Sequence, residues 1–278
     1  MKYVISASRR TDIPVFYLDW FMNAIKAGKV VVQNPLYKMN FHEVNLSPEA
    51  VEWIVFWSRN YANFLRHKDF FAEYNLFFHF TIVSHNSKLE KKQLDIKRAI
   101  RQVQELVKID GNQRLIWRYD PIVIWREGDR LHCNFNKDDF MLLCEEFNKM
   151  GIRCCYFSFV TLYSKVIKRF KSKYPDFVVA NHNSELYRTT LLTMQEICAK
   201  YDIVLYSCCN DKLVSGEVQK GSCISGSLLN RLSGEKRVSQ ARAPTRQDCG
   251  CTRSIDIGNY IQHPCYFGCI YCYANPVW

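Results

Sequence analysis

Short apolar runs rich in Val, Ile and Phe alternate along the chain with longer stretches in which apolar residues return at helical spacing. The runs that read as strands are Tyr3–Ala7, Val30–Gln33, Glu52–Trp57, Leu76–Val83, Leu115–Tyr119, Cys154–Val160 and Ile203–Ser207, with a weaker one at Ile255–Tyr260. Helical patterns cover Tyr17–Ala27, Asn63–Tyr74, Leu89–Ile109, Asp138–Met150 and Glu185–Tyr201. Nearly continuous apolar strands belong to parallel sheets covered on both faces. Strand-then-helix units in this number predict an α/β fold, a TIM-like (β/α) barrel that is complete or partial. In this reading residues 1–211 form the barrel body. Residues 212–254 loosen into a loop-rich, cysteine-containing insertion with one short helix at Ser227–Leu232. Residues 255–278 hold the last strand and a cysteine loop, all within a single domain.

In a barrel, function sits at the carboxyl ends of the strands, and those ends are polar here. Ser6, Ser8, Arg9 and Asp12 follow the first run, Ser58-Arg59-Asn60 follows Trp57, and Arg118-Tyr119-Asp120 ends the fifth. Any one of these residues can cap a loop. As a ring, with Arg9, Arg59 and Arg118 from three strand ends, they predict a basic mouth for carboxylate or phosphate groups. Asp12, Asp120 and Asp256 could act there as acid or base, or cap loops. The whole chain is basic, with 38 Lys and Arg against 27 acids and a net charge of +11, which suits an anionic substrate or nucleic acid. Hydrophobic residues at 48% exclude general disorder. The apolar runs are too short to cross a bilayer and the first residues do not resemble a signal peptide, so a soluble cytoplasmic protein without a membrane partner is expected.

The 13 cysteines are unevenly placed: none precedes Cys133, and seven fall between Cys209 and Cys272. Clustered cysteines in a cytoplasmic chain point to metal or redox chemistry. Cys265, Cys269 and Cys272 form Cys-x3-Cys-x2-Cys, with Gly268 before the middle thiol. Such a loop can bring three thiolates to three corners of one [4Fe–4S] cube and leave one iron open. The competing readings are a zinc knuckle completed by His263, or three unconnected thiols. The seven histidines do not gather, with His79 in mid-strand and His42, His85 and His182 in polar settings, so a hydrolytic metal barrel has little support.

With Tyr271 just before the last cysteine, this loop resembles the cluster loop of radical S-adenosylmethionine enzymes, and Tyr273 is similar to the spore photoproduct lyase branch. The whole chain resembles a bacterial and archaeal family, domain of unknown function 1848. The matching stretches are Ile5–Pro14 (ISASRRTDIP), Leu46–Glu49 (LSPE), Ile54–Asn60 (IVFWSRN), Ile116–Pro121 (IWRYDP) and Cys249–Tyr260 (CGCTRSIDIGNY). The resemblance implies an enzyme in which Cys265, Cys269 and Cys272 hold a [4Fe–4S] cluster. The cluster's open iron would bind adenosylmethionine, and an electron from a ferredoxin- or flavodoxin-like donor would release a 5′-deoxyadenosyl radical. It places Tyr271 near the adenine and Ser6, Ser8 and Arg9 where a Gly-Gly-Glu segment usually grips the methionine end, although no such triplet is present. It also implies a circular permutation, because the cluster loop normally follows the first strand and here lies at the far end. Only six residues follow Cys272, where the resemblance leads one to expect a covering helix.

Cys209, Cys223, Cys249 and Cys251 could close a second centre, an iron–sulfur cluster or a zinc site, with Cys208 able to replace Cys209; otherwise some are buried thiols. Cys133, Cys144, Cys154, Cys155 and Cys198 fall in strand or helix patterns and are expected in the core. The best nucleic-acid patch is Lys165, Lys168, Arg169, Lys171 and Lys173 interleaved with Tyr163, Phe170 and Tyr174, although a solvated helix face would look the same. Two rivals to the enzyme follow: a non-catalytic iron–sulfur or zinc protein that binds nucleic acid, and a degenerate barrel that keeps the cluster.

Overall fold

The computed structural model describes residues 2–34, 37, 39–179 and 185–277; His182 lies outside them. In chain order the strands are β1 (Tyr3–Ser6), β2 (Lys29–Gln33), β3 (Phe41–Asn45), β4 (Val51–Ser58), β5 (Asn75–Thr81), β6 (Leu115–Ile122), β7 (Ile124–Glu127), β8 (Arg130–Cys133), β9 (Cys154–Phe159), β10 (Phe177–Val179), β11 (Val204–Ser207), β12 (Val218–Lys220) and β13 (Ile255–Asp256). The helices are α1 (Ile13–Phe16), α2 (Leu18–Lys26), α3 (Ala62–Arg66), α4 (Ile96–Asp110), α5 (Lys137–Lys149), α6 (Ser164–Lys173), α7 (Glu185–Lys200) and α8 (Gly226–Ser233).

Eight strands form one sheet in the order β12-β11-β9-β6-β5-β4-β1-β13, and every pairing within it is parallel. The last strand of the chain lies beside the first, with Ile5 opposite Ile255 and Ser6 opposite Asp256. Strands β12 and β13 are the two edges, so no closed barrel is present among the described residues.

The strands read as continuous apolar runs because both faces are covered. Side chains alternate between faces: Ile54, Phe56, Phe78 and Trp117 face one core together with residues of α4, α5 and α7. Trp53, Val55, Phe77, Ile116 and Tyr156 face the other, where Ile224, Leu229 and Val238 of the insertion cover them. Full burial of a side chain such as Leu229 contributes about 1.5–3 kcal/mol, which holds α8 on the inner face. Ser225 caps α8 by accepting from Leu228 N at 3.3 Å, so the short helix forms where its pattern indicated.

Three expectations change. Val30–Gln33 is a strand, but not one of the eight-stranded sheet: β2 pairs antiparallel with β3 in a separate hairpin, because only Val30 and Val32 are buried while Val31 is exposed. The expected helix over Leu89–Ile109 begins at Ile96, where Asp95 caps it by accepting from Arg98 N at 3.2 Å. The stretch before it is extended and serves another purpose, described below. The pattern over Asn63–Tyr74 breaks into α3 and a short 3₁₀ turn at Lys68–Phe71. A second small sheet, β10-β7-β8, and the strand β12 were not foreseen.

Candidate metal centres

The cysteine loop is held from three sides. Residues 89–92 run against it as a strap: Ile270 N donates to Leu89 O at 2.9 Å and Lys92 N to Phe267 O at 3.2 Å, with an isolated antiparallel bridge between Glu90 and Cys269. Helix α6 clamps the other side. Arg169 donates to Ile270 O at 2.9 Å and to Cys272 O, and it also reaches Cys269 O and Ala274 O at 3.4 and 3.5 Å. Val277 N closes the loop from beyond, donating to Cys265 O at 2.8 Å. Phe267, Cys269, Ile270 and Tyr271 pack with Phe170, Val166 and Trp125 in a core of their own.

Two of the three thiols accept hydrogen bonds: Ala274 N donates to Cys272 Sγ at 3.4 Å, and Arg59 Nη1 approaches Cys269 Sγ at 3.8 Å. Burial pushes the Cys265 thiol up to about 12 and raises Cys269 and Cys272 as well. As protonated thiols these sulfurs are weak acceptors. The donors aimed at Cys269 and Cys272 therefore suit thiolates, the form in which cysteine ligates a cluster.

The predicted mouth residues are brought together, but differently from expectation. Ser6 and Ser8 are buried, and their hydroxyls, with that of Thr11, have no hydrogen-bond partner among the described residues. The arginines all have protein partners. Arg9 pairs with Asp256 at 3.1 Å and stacks over Trp57, 5.5 Å from the ring centre. Arg59 Nη2 holds Glu90 Oε1 at 2.7 Å and the Tyr271 hydroxyl at 3.1 Å. Arg118 binds Asp120 with one nitrogen and Cys223 Sγ, at 2.9 Å, with the other. An anionic ligand would meet guanidinium groups already paired with carboxylates. Tyr271, expected near an adenine, is buried and donates its hydroxyl to Glu90. Asp12 is buried under Ser58, which donates to it at 2.8 Å, and Arg59 N, at 3.1 Å; burial nevertheless pushes it up to about 7.

Cys209, Cys223, Cys249 and Cys251, with Cys208, gather on the inner face of the sheet, where Cys223 O accepts or shares a 2.7 Å contact with His79 Nε2. Burial, reinforced by the charges of Arg118 and Arg9, holds His79 down at about 3, as a neutral ring. Cys144, Cys155 and Cys198 lie in the main core as expected, while Cys133 and Cys154 are half-buried. Among the described residues no group of three or more His, Cys, Asp or Glu side chains is arranged to hold a single metal ion.

In the basic patch the four lysines, Lys165, Lys168, Lys171 and Lys173, are exposed, while Phe170 is buried and Arg169 turns inward as the loop's clamp; Lys173 stacks on Tyr174 and Lys165 approaches Tyr260. A cavity of about 470 Å³ opens between α2, β2 and residues 258–263, but no thiol lines it. Glu90 and Arg169 are the site residues that sequence reasoning missed. Glu90 was hidden inside a predicted helix, and Asp95, a capping residue, was the signal that could have released it.

An open parallel α/β sheet with its last strand beside its first, carrying a strapped three-cysteine loop, defines the class. The chain belongs to the family described as Domain of unknown function (DUF1848), whose model matches residues 4–274. No curated protein matches it. No helix among the described residues is long and apolar enough to cross a membrane.

Proposed function

We propose that this chain is an iron–sulfur enzyme of the radical S-adenosylmethionine kind, with Cys265, Cys269 and Cys272 holding a [4Fe–4S] cluster. The observation that carries the reading is the loop itself: three thiols close in sequence, of which Cys269 and Cys272 are faced by N–H donors, in a chain that also buries three hydroxyls, Ser6, Ser8 and Thr11, without partners among the described residues. The sheet is read as an incomplete, circularly permuted (β/α) barrel, since β13 and its loop sit next to β1. When bound, the cluster supplies reductive cleavage of the sulfonium of adenosylmethionine, with a ferredoxin- or flavodoxin-like protein as donor.

The chain's own residues position and polarise. Arg59 donates to Cys269 Sγ and is itself held by Glu90, which favours the thiolate and fixes its direction. Arg169 ties down the carbonyls on either side of Cys272, so the loop cannot splay. Ser6, Ser8 and Thr11 offer hydroxyls to the polar end of adenosylmethionine, which relieves the cost of leaving them buried and unpaired. Arg9 stands at the same ledge, with its charge shared with Asp256.

Electron paramagnetic resonance of the anaerobically reconstituted, reduced protein tests this. A [4Fe–4S] signal that changes on adding adenosylmethionine is expected, along with loss of adenosylmethionine cleavage in Cys269→Ala. An unchanged signal would assign the loop a structural or electron-carrying role, and full cleavage activity in Cys269→Ala would refute the ligand assignment.

A further inference from the structure

Two thiols meet where the paired strands β11 and β12 end. Cys208 follows β11, and Cys223 follows β12 after Gly221 and Ser222. Their sulfurs lie 3.4 Å apart, within contact distance. The backbone on either side fixes both positions. Cys208 N donates to Phe157 O at 2.9 Å, and Gly221 N donates to Ser207 O at 2.8 Å. His79 Nε2 donates to Cys223 O at 2.7 Å. Gly221 lets the turn come this close, because a Cβ there would stand 2.9 Å from Ser207 O.

Thiols that pack only as small apolar groups need no cation. Cys223 has one, since Arg118 Nη1 lies 2.9 Å from its sulfur. A guanidinium at that distance favours the thiolate, the nucleophilic form of cysteine. Cys208 and Cys223 are both partly exposed, so the pair borders solvent. A thiolate with a second thiol in contact is the arrangement of redox-responsive pairs. Cys209 Sγ also lies near Cys208 Sγ, at 3.9 Å. It is the poorer partner, because neighbouring Cα atoms stand about 3.8 Å apart, less than the roughly 4.4–6.8 Å that a disulfide spans.

We propose that Cys208 and Cys223 form a redox-active dithiol, which small-molecule disulfides convert to a disulfide within the chain. The Cys223 thiolate attacks one sulfur of the small disulfide, forming a mixed disulfide and releasing a small thiolate. Cys208 then attacks Cys223 Sγ, and the second small thiolate leaves with the proton that Cys208 gives up. Two protein sulfurs are oxidised, and one small disulfide is reduced to a thiolate and a thiol. Closure ties the turn after β12 to the end of β11. It also removes the negative sulfur that Arg118 faces and leaves the guanidinium to Asp120.

Peptide mapping by mass spectrometry tests this on the anaerobically purified chain, treated with oxidised glutathione and then alkylated. Trypsin places Cys208 and Cys209 in residues 201–212, Cys223 in 221–231, and Cys249 with Cys251 in 247–253. Cys265, Cys269 and Cys272 fall in residues 254–278, so the outcome is read apart from the cluster loop. A disulfide between 201–212 and 221–231 is expected, kept in Cys209→Ala, lost in Cys208→Ala and reversed by dithiothreitol. In Cys208→Ala a glutathione adduct should remain on 221–231, because the mixed disulfide has no resolving thiol. Arg118→Met should slow closure about tenfold by lowering the thiolate fraction, and Arg118→Lys should restore most of the rate. A bridge through Cys209 or 247–253, or full alkylation of Cys208 and Cys223 after oxidation, overturns the proposal. Should a variant fail to fold, fragmentation of the linked peptides from the intact chain locates the bridge at Cys208 or Cys209.

Discussion

The two thiol groups differ in how far the chain must travel to assemble them. Cys265, Cys269 and Cys272 lie within eight residues, so one loop carries all three and the fold adds a strap and a clamp. The second thiol group draws on both ends of the segment from Cys208 to Cys251, and only the covered inner face of the sheet makes those ends meet. Yet both groups use one device, an arginine in or just after a strand of the sheet that shares itself between a sulfur and a carboxylate. Arg59 does so for Cys269 and Glu90, and Arg118 for Cys223 and Asp120. A basic mouth inferred from three strand-end arginines thus becomes, in two cases, a set of guanidinium groups facing cysteine sulfur.

The sharpest way to separate the two devices is to remove the arginines. Glu90 is 1% exposed and one of its oxygens already lacks a partner. Arg59→Met would leave that carboxylate buried without its cation, at a cost of about 3–5 kcal/mol of stability. Asp120 is 21% exposed and keeps the Ser158 hydroxyl, so Arg118→Met should cost less, about 1–3 kcal/mol. Urea unfolding of the two variants beside the parent chain measures both; equal losses would mean that burial of the carboxylate does not set the difference.

The clamp on the C-terminal loop has no counterpart at the second thiol group among the described residues. Arg169→Met removes two close charged hydrogen bonds and two longer ones to the loop carbonyls, and should cost about 2–3 kcal/mol. It should also lower iron at the C-terminal loop, whose carbonyls it no longer ties down. If nucleic-acid binding, rather than the loop, depended on Arg169, the variant would instead lose affinity for polyanions at full iron content.

How much of this was legible follows the same division. Strands β4, β5, β6, β9 and β11 were readable because a parallel strand covered on both faces carries its burial in its own sequence. Strand β2 misled because three consecutive valines look two-sided, whereas Val31 is exposed. The cysteine loop stood out in the sequence by its spacing alone. The strap was not, since Leu89-Glu90 continues the helical period of α4 and only the Asp95 cap marks the boundary. Arg169 was unreadable for a different reason. On α6 it sits among lysines, and nothing local distinguishes a residue that turns inward to loop carbonyls from one that faces water. The open edge between β12 and β13 depends on how far the sheet curls, and no strand records that.

The smallest effects should come from the two glycines, one in each thiol group, and they test the comparison most directly. Gly268 holds φ 64, and a Cβ there would stand 2.9 Å from Lys91 Cβ on the strap. Gly268→Ala therefore combines left-handed backbone with a contact that cannot swing aside, and should cost about 1–2 kcal/mol. Gly250 has no backbone strain of this kind, and its nearest neighbour is the rotatable Ser222 hydroxyl, with Gly221 O behind it. Gly250→Ala should then cost about 1 kcal/mol, the low end of overpacking. Iron content separates the two further: Gly268→Ala is expected to lower iron at the C-terminal loop and Gly250→Ala to leave it unchanged, because the strap touches that loop whereas Gly250 packs on Ser222 and Gly221. A fall in iron on Gly250→Ala would mean that the two thiol groups are mechanically coupled.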